Sequence, residues 1–150
     1  MSDGSVIAVC VSAARGIPRP IVTHGELREE LGFVGNRHSV GGKREVCLFD
    51  METYEALRGE GMKVGPGSFG ENLVLSGVPF AEVKPGDRIE IGEGAEVEIT
   101  MVRVPCSNLT QIDERLPDGI VGRSGWMAQV VRSGTVRPGD AARWKPRKSE

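Results

Sequence analysis

The sequence predicts a mainly β protein, a closed or nearly closed mixed β-barrel with a few short helices. Two observations carry this. Glycine and proline number 21 and 9, and such punctuation suits many short strands and tight turns better than long helices. About seven runs are rich in strand formers, several alternating apolar and polar residues. So many strands need their edges paired, and barrel closure does that.

The elements follow in chain order. "VIAVCVS", Val6 to Ser12, is a strand able to bury both faces. "REVCLFD", Arg44 to Asp50, is a second, running into Asp50, a good helix N-cap. "METYEALRGEG" then sets Met51, Tyr54 and Leu57 three apart, with Gly59 and Gly61 to stop a short helix. "GSFGENLVL", residues 67–75, enters a strand at Leu73 with Glu71 and Asn72 at its mouth. "VKPGDRIEI" (Val83–Ile91) and "VRPGDAARW" (Val136–Trp144) resemble each other. In each, Pro–Gly sets a type II turn, glycine taking the positive second φ, and a strand follows. Between them "AEVEITMVRV" alternates Val97, Ile99 and Met101 with Glu96, Glu98 and Thr100, a strand with one wet face. "GWMAQVVRSG" (Gly125–Gly134) is another strand. The charged tail 145–150 is expected to fray.

The 150 residues suit a single domain, 1–150, with its core at about 6–144. Lys and Arg total 19 against 21 Asp and Glu, so no basic face for nucleic acid is expected. Aromatics at 5% give no base-stacking platform. The first apolar run, Val6 to Val11, is too short for a signal core or a membrane span. A cytoplasmic protein without a membrane partner is expected. The odd set Cys10, Cys47 and Cys106 fits reduced thiols, and His24 and His38 are not at metal-ligand spacing.

Cys106 follows Pro105, which cannot donate to a sheet ladder and so ends its strand. That puts the thiol at a strand end, where reactive groups sit. Cys10 and Cys47, inside apolar runs, read as small buried hydrophobes. A reactive thiolate is favoured by nearby cations. Arg37, His38, Lys43 and Arg44 supply them in "GNRHSVGGKREV". Gly35, Gly41 and Gly42 allow close backbone approach there, and such a loop suits phosphate or another oxyanion. The bland reading is a solvated basic loop. Glu71 and Asn72 read as polar groups of a pocket floor or as fasteners of loop backbone. Arg123, in "VGRSGW", is a further candidate for the same anion.

"GNRHSVGGKREVCLFD", "GSFGENLVLSGV", "KPGDRIEIG", "VPCSNL" and "GWMAQVVRSGTVRPGD" occur in that order. Together they resemble the successive motifs of the MOSC domain, found at the C-terminus of molybdenum cofactor sulfurases and in small stand-alone bacterial proteins. The resemblance runs from about Val6 to Trp144. It implies a barrel like that of pyruvate kinase and a functional cysteine at Cys106, acting as a molybdenum ligand or as a persulfide-bearing sulfur carrier. It further implies the molybdenum cofactor (molybdopterin) as ligand. Arg37, His38, Lys43, Arg44 and Arg123 would hold its anionic part, and Glu71 and Asn72 would orient it. The expected partners are a small-molecule or pterin ligand, with a sulfur-donor protein or a cofactor-accepting enzyme. The chain offers no pyridoxal phosphate site, so a persulfide would come from a separate donor. Similar proteins often read Gly-Asp at positions 35 and 36, where this one has Gly35-Asn36. Two other readings compete: a transferase or lyase using a divalent cation on His38 and Glu71, and a non-catalytic module that delivers cofactor.

Overall fold

A computed structural model describes residues 4–14, 17–36, 45–104 and 107–147. In chain order these form β1 (Gly4–Cys10), β2 (Ile21–Val22), β3 (Gly25–Arg28), β4 (Gly32–Phe33), β5 (Val46–Asp50), α1 (Met51–Gly59), β6 (Leu73–Ser76), β7 (Arg88–Ile91) and β8 (Ala95–Val102). Two 3-10 turns follow, Ser107–Gln111 and Asp118–Ile120. Last come β9 (Trp126–Arg132), β10 (Gly134–Val136) and β11 (Ala141–Lys145).

Seven strands close a mixed barrel in the order β1-β11-β7-β8-β9-β5-β6 and back to β1. The β5–β6 pair is parallel. A parallel pair needs a crossover, and α1 with the loop after it supplies one. Closure occurs where Gly4 and Ser5 pair with Ala142 and Ala141. At Gly4 an added Cβ would stand 2.4 Å from the Ser76 carbonyl oxygen, so only glycine lets the strands meet.

Strand β1 bears a bulge between Val6 and Ala8. A bulge shifts the pleat by one residue. Val6 and Val9 thereby join the barrel interior with Leu48, Leu73, Ile89, Val97 and Ile99, although they are three apart. Ala8 and Cys10 join a second apolar cluster, in which Tyr54 and Leu57 of α1 pack with Phe49, Phe69 and Val74. Three rings anchor it, with Tyr54 stacked on Phe69 at 5.2 Å and tilted against Phe49 at 4.6 Å.

Both Pro–Gly segments form the expected turns. Gly86 and Gly139 have φ of 96° and 95°. In each, the Asp N–H bonds the carbonyl three residues back, Asp87 to Lys84 and Asp140 to Arg137. Each Asp side chain also accepts that same residue's N–H, at 2.9 and 2.8 Å.

Two expectations need correction. Glu96 does not lie on a wet face, being 2% exposed. Arg88 and Lys145 each approach its carboxylate to 3.2 Å and cover it. The tail is held as far as Arg147, whose N–H donates to Asp87 Oδ1 at 2.7 Å; β11 already reaches Lys145. The polar stretch after His24 also folds, as β3 and β4 in a second sheet ordered β10-β3-β4. Leu27 and Phe33 face the core there, while Glu26 and Arg28 face solvent. No helix among the described residues is long and apolar enough to cross a membrane.

Candidate functional site

The site grows from the loop "GSFGEN" that leads into β6. Asn72 stands between the C-terminal end of β1 and the start of β5. Its N–H donates to the Cys47 carbonyl at 2.9 Å and its carbonyl accepts the Cys10 N–H at 2.8 Å. Its side chain repeats both links, Oδ1 accepting the Cys47 N–H and Nδ2 donating to the Cys10 carbonyl, each at 3.1 Å.

Glu71 is fully buried. Its Oε2 accepts the Tyr54 hydroxyl and the Gly67 N–H. Its Oε1 is shielded from solvent and has no hydrogen-bond partner among the described residues. Burial raises this carboxyl above the ordinary range, against the lowering effects of Tyr54, the backbone N–H groups and the nearby Arg103 charge. The acid is biased toward its protonated form.

Two arginines converge on the same loop. Arg19 Nε donates to the Gly70 carbonyl at 2.6 Å, and Arg103 Nη2 donates to the Phe69 carbonyl. The glycines permit this. At Gly67 an added Cβ would lie 2.2 Å from the Arg19 carbonyl oxygen. Gly70 has a positive φ of 79°, and both guanidinium groups come within 4.0 Å of where its Cβ would be. Arg103 Nη1 is also buried, with no hydrogen-bond partner among the described residues. A shielded cationic N–H with no acceptor is costly, and an anion relieves it.

Asn36 completes the described part. Its Oδ1 accepts Arg19 Nη1 at 3.0 Å and the Ser12 N–H at 3.1 Å. A neutral amide at this position leaves the Arg19 charge in place where an aspartate would cancel it. Burial lowers the Arg19 pKa, and the neighbouring Arg103 charge lowers it further.

Cys10 and Cys47 are buried, free thiols. Burial pushes Cys10 up to about 12 and also raises Cys47. Arg103 and Arg19 act electrostatically on Cys47, which places these thiols beside the cationic group. Arg37, His38, Lys43, Arg44 and Cys106 lie outside the described residues. Arg123 is engaged elsewhere. It makes two 2.9 Å bonds to the Glu60 carboxylate and two more to the Gly119 carbonyl. Arg19 and Arg103 were not singled out from sequence. The one signal for Arg103 was its place three residues before Cys106; Arg19, between Pro18 and Pro20, gave none.

The site is thus two arginines and a buried carboxylic acid gathered at one strand mouth of a closed mixed β-barrel domain. The chain belongs to the MOSC domain family, whose profile matches residues 35–143. The fold is similar to that of the YuaD protein from Bacillus subtilis, with a TM-score of 0.84, 18% identity and 98% of each chain covered. It is likewise similar to YiiM from Geobacillus stearothermophilus, with a TM-score of 0.78 and 23% identity over 94% of this chain and 74% of that one. A protein named "Reductase" from Gibberella moniliformis (strain M3125 / FGSC 7600) is 27% identical over 122 residues, 73% of this chain. The chain spans about a fifth of that protein's length, 22%.

Proposed function

We propose that this MOSC-domain protein binds the molybdenum cofactor, with Arg19 and Arg103 holding the pterin phosphate and Cys106 offering a thiolate. The observation that carries the reading is the buried Arg103 Nη1, which has no acceptor among the described residues. The donor set fits an anion on three counts: two guanidinium groups, a neutral Asn36 beside Arg19, and a carboxylic acid whose Oε1 can hold a proton. Protonated Oε1 would donate to an anionic oxygen and would not repel it. Cys106 is three residues beyond Arg103, a span that covalent geometry caps at about 11 Å. Arg37 directly follows Asn36 in the sequence. When bound, the cofactor supplies a redox-active molybdenum centre. The name of the Gibberella relative, a reductase, agrees with redox use.

Calorimetric titration with inorganic phosphate and with a pterin phosphate tests the site. Arg103→Ala and Arg19→Ala should each lose about 1.5–3 kcal/mol of binding, the scale of a hydrogen bond to a charged group. Arg28→Ala, on the second sheet and paired with Glu26, should lose nothing. Equal affinities in the three variants would remove the arginines from the site. Metal analysis of the purified protein separates the readings further. Molybdenum with a pterin supports cofactor use. A stoichiometric divalent metal would support the transferase or lyase reading.

A further inference from the structure

A cavity of about 610 Å³, apart from the arginine site, opens between the start of α1, the loop after β6 and the approach to β9. That volume falls in the range of small-molecule sites. Arg19, Asn36, Glu71, Asn72 and Arg103 are not among the residues lining it. Its walls are apolar, with Val78, Phe80, Val102 and Trp126 prominent. The indole is fixed, because Trp126 Nε1 donates to the Phe80 carbonyl at 3.2 Å. Val102 is 53% exposed, an apolar side chain left for something to cover.

Asp50, the N-cap of α1, and Glu52, in its first turn, meet these walls. Glu52 Oε2 accepts Ser76 Oγ and the Gly77 N–H, both at 2.9 Å, which fixes it but does not neutralise it. Among the described residues neither carboxylate has an ion pair. Arg123 also lines the cavity, but Glu60 holds it. The helix N-terminus offers only about half a positive charge. Burial raises the carboxyl of the half-buried Asp50, against the lowering effect of a hydrogen bond from the Thr53 side chain. A cleft with two carboxylates at one end and aromatic walls matches a ligand with one positive charge on an apolar body.

We propose that this cavity binds a primary aralkylammonium ion, its ammonium on Asp50 and its ring between Trp126, Phe80 and Val102. The class follows from the charge and shape of the cleft and is independent of the anion site.

Calorimetry and Trp126 fluorescence with 2-phenylethylamine, set against 2-phenylethanol, test it. The amine should bind saturably, and the neutral alcohol at least about tenfold more weakly, as expected from one charge-assisted hydrogen bond. Asp50→Asn keeps a side chain of the same size that suits the N-cap position and should cost the amine about tenfold while leaving the alcohol unchanged. Val102→Lys, at an exposed position, sets a competing ammonium in the cleft and should abolish amine binding even if the Asp50 variant fails to fold. Phosphate binding should be unchanged in both variants. Equal binding of amine and alcohol, no saturable amine binding, or amine binding indifferent to Val102→Lys would each overturn the proposal.

Discussion

Asn72 Oδ1 accepts the backbone N–H of Cys47 at 3.1 Å, tying β5 to the mouth of β6 through a side chain. Nδ2 of the same amide reaches the Cys10 carbonyl on the other side. One residue thus joins three strands, because an amide donates and accepts at once. Asn72→Ala would orphan a buried N–H and a buried carbonyl, at about 1–3 kcal/mol for each group left unmade. Urea unfolding should show a loss of at least about 2 kcal/mol. Asn72→Asp should also destabilise, since it keeps the acceptor but loses the donor to Cys10. A parent-like midpoint for Asn72→Ala would deny the residue this role.

Glu71 makes stability depend on pH. Its folded pKa is raised by burial, while an unfolded glutamate titrates near 4.3. The contribution is therefore complete below about 4.3 and is lost as pH rises through the higher folded value. Glu71→Gln keeps an acceptor for Tyr54 and removes the titration. Its melting temperature relative to the parent should climb between about pH 4 and pH 8. A constant difference across that range would place an ionised Glu71 in the folded protein.

The two Pro–Gly turns need glycine for different surroundings but the same φ. An added Cβ at Gly139 would meet nothing within 4 Å, while one at Gly86 would meet the flexible Arg147 side chain at 2.7 Å. Backbone strain is common to both, so Gly86→Ala and Gly139→Ala should each cost about 1 kcal/mol or more. Chemical denaturation measures it. Melts equal to the parent would show that the turns tolerate a side chain.

Thiol reactivity should single out Cys106. Cys10 is held up to about 12 by burial, so at about pH 8 only about one thiol in ten thousand is ionised. Cys47 is buried too, and its pKa is raised. Iodoacetamide on the native protein should label Cys106 well before either, as peptide mapping would show. Equal protection of all three cysteines would count against thiol chemistry at Cys106.

Much of the barrel was legible in the sequence because it rests on local rules. Alternation marked β8, the Pro–Gly pairs marked the turns before β7 and β11, and spacing with glycine stops marked α1. Asn72 beside Leu73 signalled a polar side chain at a strand mouth. Tertiary structure alone decided the rest. Arg19 and Arg103 lie far apart in the chain and meet only because Gly70 and Phe69 present carbonyls to both. Glu96 looked wet by period, yet Arg88 and Lys145 from neighbouring strands cover it. Arg123 read as a candidate for the anion, yet Glu60, 63 residues away, holds it. The bulge in β1 moved Val9 inward against simple alternation. Periodicity reports which face a residue takes within its own element. Charge pairing and convergence depend on which elements the closed barrel brings together, and no local pattern encodes that.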